Sequence, residues 1–171
     1  FTSVLGNDLS GNSVYTRRRQ FRGPSTAFDH LVPILSTELR RAIDAVEATD
    51  RRVAGITVAV PGTADVERGV VIRAPNLGWL DVPLRDRLQD HVGHDRPISV
   101  DNEANLGALA EYRVGALAGT GHVAFVLALN GVGAGLIVNG SVFRGATGGA
   151  GEVGHMTVQP RGLPCACGSS G

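Results

Sequence analysis

Apolar and polar positions follow two rhythms along this chain, one with the period of a strand and one with the period of a helix. Residues 2–5 and 13–21 are β-prone runs separated by Asn7, Asp8, Ser10, Gly11 and Asn12, turn formers that predict a hairpin. Across 26–48 the apolar residues Phe28, Leu31, Ile34, Leu35, Leu39, Ala42, Ile43 and Val46 recur at helical spacing, with Pro33 marking a start or a kink. Residues 53–60 are apolar and β-branched enough for a buried strand, which Pro61-Gly62 ends. A second hairpin is expected from 63–66 and 70–72 across Glu67-Arg68-Gly69, followed by a short helix over 84–92. The buried run 98–100 should be a strand whose carboxyl end delivers Asp101, Asn102 and Glu103. A helix over 104–117 and strands over 123–129 and 135–138, joined by a glycine-rich turn, complete the order ββαββαβαββ, which points to an α/β core.

Composition narrows the class. Hydrophobic residues make up 43% of the 171, yet no stretch approaches the roughly 18 to 20 apolar residues that span a bilayer, so a soluble, cytoplasmic protein with no membrane contact is expected. Sixteen basic residues, all arginine, balance sixteen acidic ones. At zero net charge the segment lacks the positive field that neutralises a phosphate backbone, so DNA would have to be bound by other chain. The run Arg17-Arg18-Arg19-Gln20-Phe21-Arg22 alternates faces on a strand and reads as a charged, solvated edge with no assigned contact. An opening at Phe1 without a leader, and a cysteine-rich close over 164–171, predict an internal piece of a longer protein.

Four stretches could carry chemistry. His155 and the Cys165-Ala166-Cys167-Gly168 turn hold every cysteine of the chain and offer the thiolate and imidazole ligands that zinc prefers. Gly162, Pro164 and Gly168 describe a turn with little to pack, whose order a metal would supply; the alternative is two ordinary cysteines and an unrelated histidine. In GATGGAGEVGH, residues 145–155, five glycines surround Glu152 and His155, bare backbone beside two groups that suit sugar hydroxyls. A flexible loop with a capping glutamate explains the same letters. Asp101, Asn102, Glu103 and Asn105 stand at a strand end before a helix, where open α/β sheets bind ligands, although from spacing alone simple helix capping is the better reading. Asn130, Gly131 and Gly133 belong to a glycine-rich turn that could cradle phosphate, but it lacks the lysine and hydroxyl of a P-loop, and a plain glycine-rich hairpin is the better local reading.

In order, the hairpin NDLSGN at 7–12, VPG at 60–62, PNLGW at 75–79, VDNEAN at 100–105, GAGEVGH at 149–155 and GLPCACGSSG at 162–171 resemble the ROK family of repressors, open reading frames and sugar kinases across nearly the whole chain. The resemblance implies an α/β fold of the actin-like ATPase (ribonuclease H-like) class, with part of two lobes around a sugar cleft. Residues 1–171 would be its sugar-binding core, incomplete at both ends, without an N-terminal helix-turn-helix and without the rest of the C-terminal lobe. It implies sugar ligands at Gly62, Asn76, Asn102, Glu103, Glu152 and His155. It also implies a structural zinc on His155, Cys165, Cys167 and a further cysteine expected just after Gly171. Because His155 would serve both, one imidazole nitrogen should take the metal and the other face the sugar.

Two departures separate this chain from the kinases it resembles. They carry an aspartate, the general base, where Glu103 stands here, one methylene longer; a misplacement of about 1 Å can cost on the order of a hundredfold. They also show a glycine-threonine-glycine step where this chain has Leu129-Asn130-Gly131. Both favour a sugar-sensing transcriptional regulator that binds a monosaccharide or sugar phosphate without phosphorylating it; the resemblance further implies DNA contact through a separate N-terminal domain and a homo-oligomer. An ATP-dependent hexose kinase resembling glucokinase, and a sugar-binding module with no DNA partner, stay open.

Overall fold

A computed structural model describes residues 2–20, 27–129, 131–165 and 167–171. Strands β1 (Thr2–Asn7) and β2 (Ser13–Arg19) form the first hairpin. Its turn is closed by the Asp8 carboxylate, which accepts the Ser10 and Asn12 amides at 2.9 Å each, the Asx chemistry its letters suggested. Helix α1 (Phe28–Glu47) continues past Pro33, so proline marks neither of its ends. Strand β3 (Ile56–Val60) pairs in parallel with β7 (Ile98–Asn102). It is shorter than expected because Pro97, preceding β7, has no N–H with which to extend the ladder toward residue 53.

Between these strands lie β4 (Thr63–Asp65), β5 (Val70–Ala74) and β6 (Trp79–Val82), an antiparallel three-stranded sheet, and then α2 (Leu84–Val92), which matches its expected span. Strand β6 was not anticipated. Helix α3 (Glu103–Arg113) ends four residues early, where Gly115 breaks the pattern and the Glu111 carboxylate folds round to accept the Ala116 amide at 3.2 Å. Strands β8 (His122–Ala128), β9 (Val132–Val138) and β10 (Ser141–Val142) form the last antiparallel sheet. The glycine-rich turn between β8 and β9 is therefore shorter than expected. Gly133 and Gly135 lie within β9, paired with Leu127 and Phe125.

Two hydrophobic cores result. The larger packs Leu31, Val32 and Ile43 of α1, Leu84 and Leu88 of α2 and Val60, Val71, Trp79 and Val100 of the sheets. Phe28 meets Trp79 edge-on with ring centroids 5.2 Å apart. The smaller sets Ala108 of α3 against Val123 and Ile137, with Tyr112, Phe125 and Val142 at its margin.

The arginine run does have a partner. Period-two alternation puts Arg17 and Arg19 on one face of β2, and both reach Glu38 of α1, whose side chain is 1% exposed. Arg19 donates to Oε1 at 2.8 Å and Arg41 at 3.0 Å, while Arg17 Nε lies 2.7 Å from Oε2 at an angle too poor for a hydrogen bond. Burial alone would raise the Glu38 pKa, but the Arg19 hydrogen bond and the charges of Arg17 and Arg41 outweigh it and hold the carboxyl below its ordinary 4.5. Its stabilising effect is therefore present above that ordinary value and lost as pH falls below it. Because the arginines are half exposed, Glu38→Gln should cost about 1–3 kcal/mol at pH 7, between the values for exposed pairs and broken buried ones. Urea unfolding of both proteins should show the difference shrinking as pH falls through the lowered Glu38 pKa. A gap that persists below it would mean that packing, not charge, holds the hairpin to α1.

Candidate functional site

The carboxyl end of β7 builds the first half of the site. Asn102 caps α3: its Oδ1 accepts the Ala104 amide at 2.8 Å and the Asn105 amide at 3.2 Å, while its Nδ2 donates to the Gly62 carbonyl at 2.9 Å. Gly62 is pressed so closely on the end of β5 that a Cβ there would stand 2.2 Å from the Arg73 carbonyl oxygen. The side-chain amide of Asn102 thus joins two predicted site residues, with one N–H left over. Asn76 follows β5 by two residues, exposed in a 3-10 turn (Pro75–Leu77). Glu103 opens α3 half-buried, and no described residue hydrogen-bonds its carboxylate; burial is what raises its pKa above the ordinary carboxylate value.

The second half hangs from β9. Ala134 N–H donates to the Gly151 carbonyl at 2.7 Å, and Cβ atoms at Gly151 and Gly154 would come within 1.9 Å of the Ala134 oxygen and 2.1 Å of the Val132 oxygen. The glycines of residues 145–155 therefore lay this loop flat on the strand, a task no other residue type performs at that distance. Glu152 follows, and His155 ends a 3-10 turn (Val153–His155). Nε2 of His155 is 3.6 Å from Glu152 Oε2, and its Nδ1 is 3.7 Å from Cys165 Sγ, so the ring presents one nitrogen to each neighbour.

Around Cys165 the chain doubles back on itself. Cys165 N–H donates to the Ser169 carbonyl at 2.8 Å, Gly168 N–H to the Cys165 carbonyl at 3.0 Å, and Val158 N–H to the Gly171 carbonyl at 2.9 Å. The ligand atoms of His155, Cys165 and Cys167 all lie within 4.8 Å of one another. Zinc bonds of about 2.0–2.1 Å to nitrogen and 2.3 Å to sulfur, opened at the tetrahedral angle, separate the two ligand atoms by about 3.6 Å, which is close to the spacing present. Cys165 is exposed and Cys167 half-exposed, unlike thiols buried for packing. A backbone hydrogen bond at Cys167, then the Cys167 thiol and the His155 ring, pull the Cys165 thiol below its usual pKa, toward the thiolate that a metal binds. These three residues fit a tetrahedral metal with a fourth ligand from elsewhere.

The structure thus brings together Gly62, Asn102 and Glu103 as one cluster and Glu152, His155, Cys165 and Cys167 as another, linked through β9. Of the supposed phosphate turn, Asn130 lies outside the described residues, Gly131 has open space around it and Gly133 sits in β9. Sequence reasoning missed Arg144. It precedes the glycine loop and ion-pairs through a terminal guanidinium nitrogen with Asp101 Oδ2 at 2.5 Å, a contact that no local spacing announces.

Comparison with known proteins places this geometry. The profile of the ROK family matches residues 4–171. A xylose repressor of Caldicellulosiruptor bescii is 37% identical over 99% of this chain and 45% of its own length. A glucokinase of Halalkalibacterium halodurans is 41% identical over 68% of this chain and 35% of its own. The crystal structure of a ROK family transcriptional regulator, a homologue of the E. coli MLC protein, superposes with a TM-score of 0.84 at 25% identity, over 99% of this chain and 42% of that one. The 171 residues therefore span less than half the length of these relatives. The fold they share is the actin-like α/β fold of sugar kinases and their regulators. From the ordered motifs, that fold and a profile match over almost its full length, the chain belongs to the ROK family.

Proposed function

We propose that this chain is the effector-binding part of a sugar-responsive transcriptional regulator that holds a monosaccharide or sugar phosphate without phosphorylating it. The observation that carries the reading is Glu103. Its carboxylate stands free at the start of α3, where the resembled kinases place an aspartate, and side-chain length there sets whether a base reaches a sugar hydroxyl within about 3 Å. Gly62, Asn76, Asn102, Glu103, Glu152 and His155 would bind the hydroxyls, and His155, Cys165 and Cys167 would hold a structural zinc that orders the loop. A xylose repressor and a glucokinase of Streptomyces coelicolor each match nearly the whole chain, so coverage favours neither reading and Glu103 carries the choice. Sugar binding would favour one arrangement of the molecule, and linkage would pass that preference to DNA affinity. With zero net charge here, DNA contact falls to a separate domain of a cytoplasmic homo-oligomer.

The glucokinase relative supports a second reading, an ATP-dependent hexose kinase. A coupled ADP-release assay on the intact protein separates the two. With D-xylose or D-glucose at saturation, ADP release should stay at the sugar-free background. Robust sugar-dependent turnover would make the kinase the correct assignment.

A further inference from the structure

Asp101 is a buried acid whose obvious duty is already discharged by its neighbour. It precedes the α3 cap, yet Asn102 does the capping. The Asp101 side chain is 6% exposed and its two oxygens are divided among three segments. Oδ1 accepts the Asn102 amide at 2.8 Å and Asn105 Nδ2 at 3.1 Å. Oδ2 takes the Arg144 guanidinium at 2.5 Å. Arg144 in turn closes the glycine loop, its carbonyl accepting the Ala150 amide at 3.0 Å. One carboxylate therefore holds the end of β7, the first turn of α3 and the root of the loop that carries Glu152 and His155.

The network is not built for stability alone. Arg144 Nε and Asn105 Oδ1 are both buried without a hydrogen-bond partner, and the Arg144 side chain is 35% exposed, so its pair with Asp101 is part-buried and contributes modestly to stability. What such a pair can do is fix register. We propose that Asp101 and Arg144 are a positioning pair that sets the spacing between the Asn102–Glu103 half of the site and the Glu152–His155 half. Sugar affinity would then depend on two residues that need not touch the sugar. This inference rests on the sugar-binding reading above.

The test uses intact protein, with D-xylose, D-glucose and glucose 6-phosphate as probes, titrated by calorimetry well below the melting temperature. Arg144→Met should bind the best of these about tenfold more weakly, within the range seen for residues coupled through one polar network, while keeping its zinc. Glu38→Gln, whose ion-pair partners all lie on β2 and α1, controls for a purely structural effect: it should lower the melting temperature and leave affinity within about twofold of wild type, as expected for sites that share no partner. If Arg144→Met does not fold, Arg144→Gln decides, since it keeps a polar side chain but loses the charge and the reach that meet Asp101 Oδ2, and a loss of at least about threefold is expected. Wild type that binds a probe alongside a folded arginine variant that binds it equally well overturns the positioning role alone. Wild type that binds none of the three overturns the sugar reading and this inference together.

Discussion

Replacing Cys165 by serine in the intact protein is expected to remove its zinc and loosen the chain from His155 onward. The segment has little else to hold it. Met156, Val158 and Leu163 are 64%, 85% and 87% exposed, so hydrophobic burial contributes almost nothing there, and order rests on a few backbone hydrogen bonds and the cluster of three ligands. Structural zinc sites in small peptides contribute about 10–16 kcal/mol of apparent binding free energy, enough to order a segment of this size outright. A hydroxyl at position 165 is a poor zinc ligand and would leave two protein ligands from this chain. Metal analysis should find about one zinc per wild-type chain and close to none in Cys165→Ser, since a structural site is closed by four protein ligands. Proteolysis should then cut the variant between residues 156 and 171 well before wild type. Equal zinc in both proteins would refute the metal centre.

A second large effect is expected from a single methyl group at Gly135. A Cβ built there stands 2.1 Å from the Ala104 carbonyl oxygen and 2.7 Å from the Ala108 side chain, so α3 and β9 can approach as they do only over a glycine. Both neighbours belong to the helix that Asn102 caps and Glu103 opens, and neither can rotate aside. Overpacking usually costs 1–3 kcal/mol and sometimes more, and with backbone on the receiving side Gly135→Ala should cost about 3 kcal/mol or more in urea unfolding. Gly133, two residues away on the same strand, has only the Ala104 side chain at 4.0 Å, so Gly133→Ala should stay within about 0.5 kcal/mol of wild type. Equal stability of all three proteins would mean that the glycine run serves some purpose other than packing.

That glycine run shows where sequence stops being legible. Its letters suggested a glycine-rich hairpin, but spacing cannot reveal that helix α3 lies against the strand. The same limit applies to Glu38, whose three arginine partners come from a different element and from its own helix, and to Arg144, which meets Asp101 across 43 residues. Helix α2 and the first hairpin were legible because their signals are local: apolar periodicity between two punctuating residues, and an aspartate that closes its own turn. Strand β6 was missed because only Trp79 of its four residues is buried, too short a pattern to read. The candidate site was readable as a set of residues, through motif order. Its division into a β7–α3 cluster and a β9-bound loop required coordinates.

Sugar binding through Glu152 and His155 is the central claim, and calorimetry on the intact protein tests it most directly. Wild type, Glu152→Ala and His155→Ala would be titrated side by side with D-xylose and D-glucose, with zinc measured in each. Glu152 lies 3.6 Å from the His155 ring, and the opposite ring nitrogen faces Cys165, so the two substitutions should separate sugar from metal. Losing charged hydrogen bonds worth roughly 1.5–3 kcal/mol should weaken sugar binding by Glu152→Ala at least about tenfold with zinc retained, whereas His155→Ala should lose both. Unchanged sugar affinity in Glu152→Ala would contradict the account and reduce this loop to a glycine turn beside a metal.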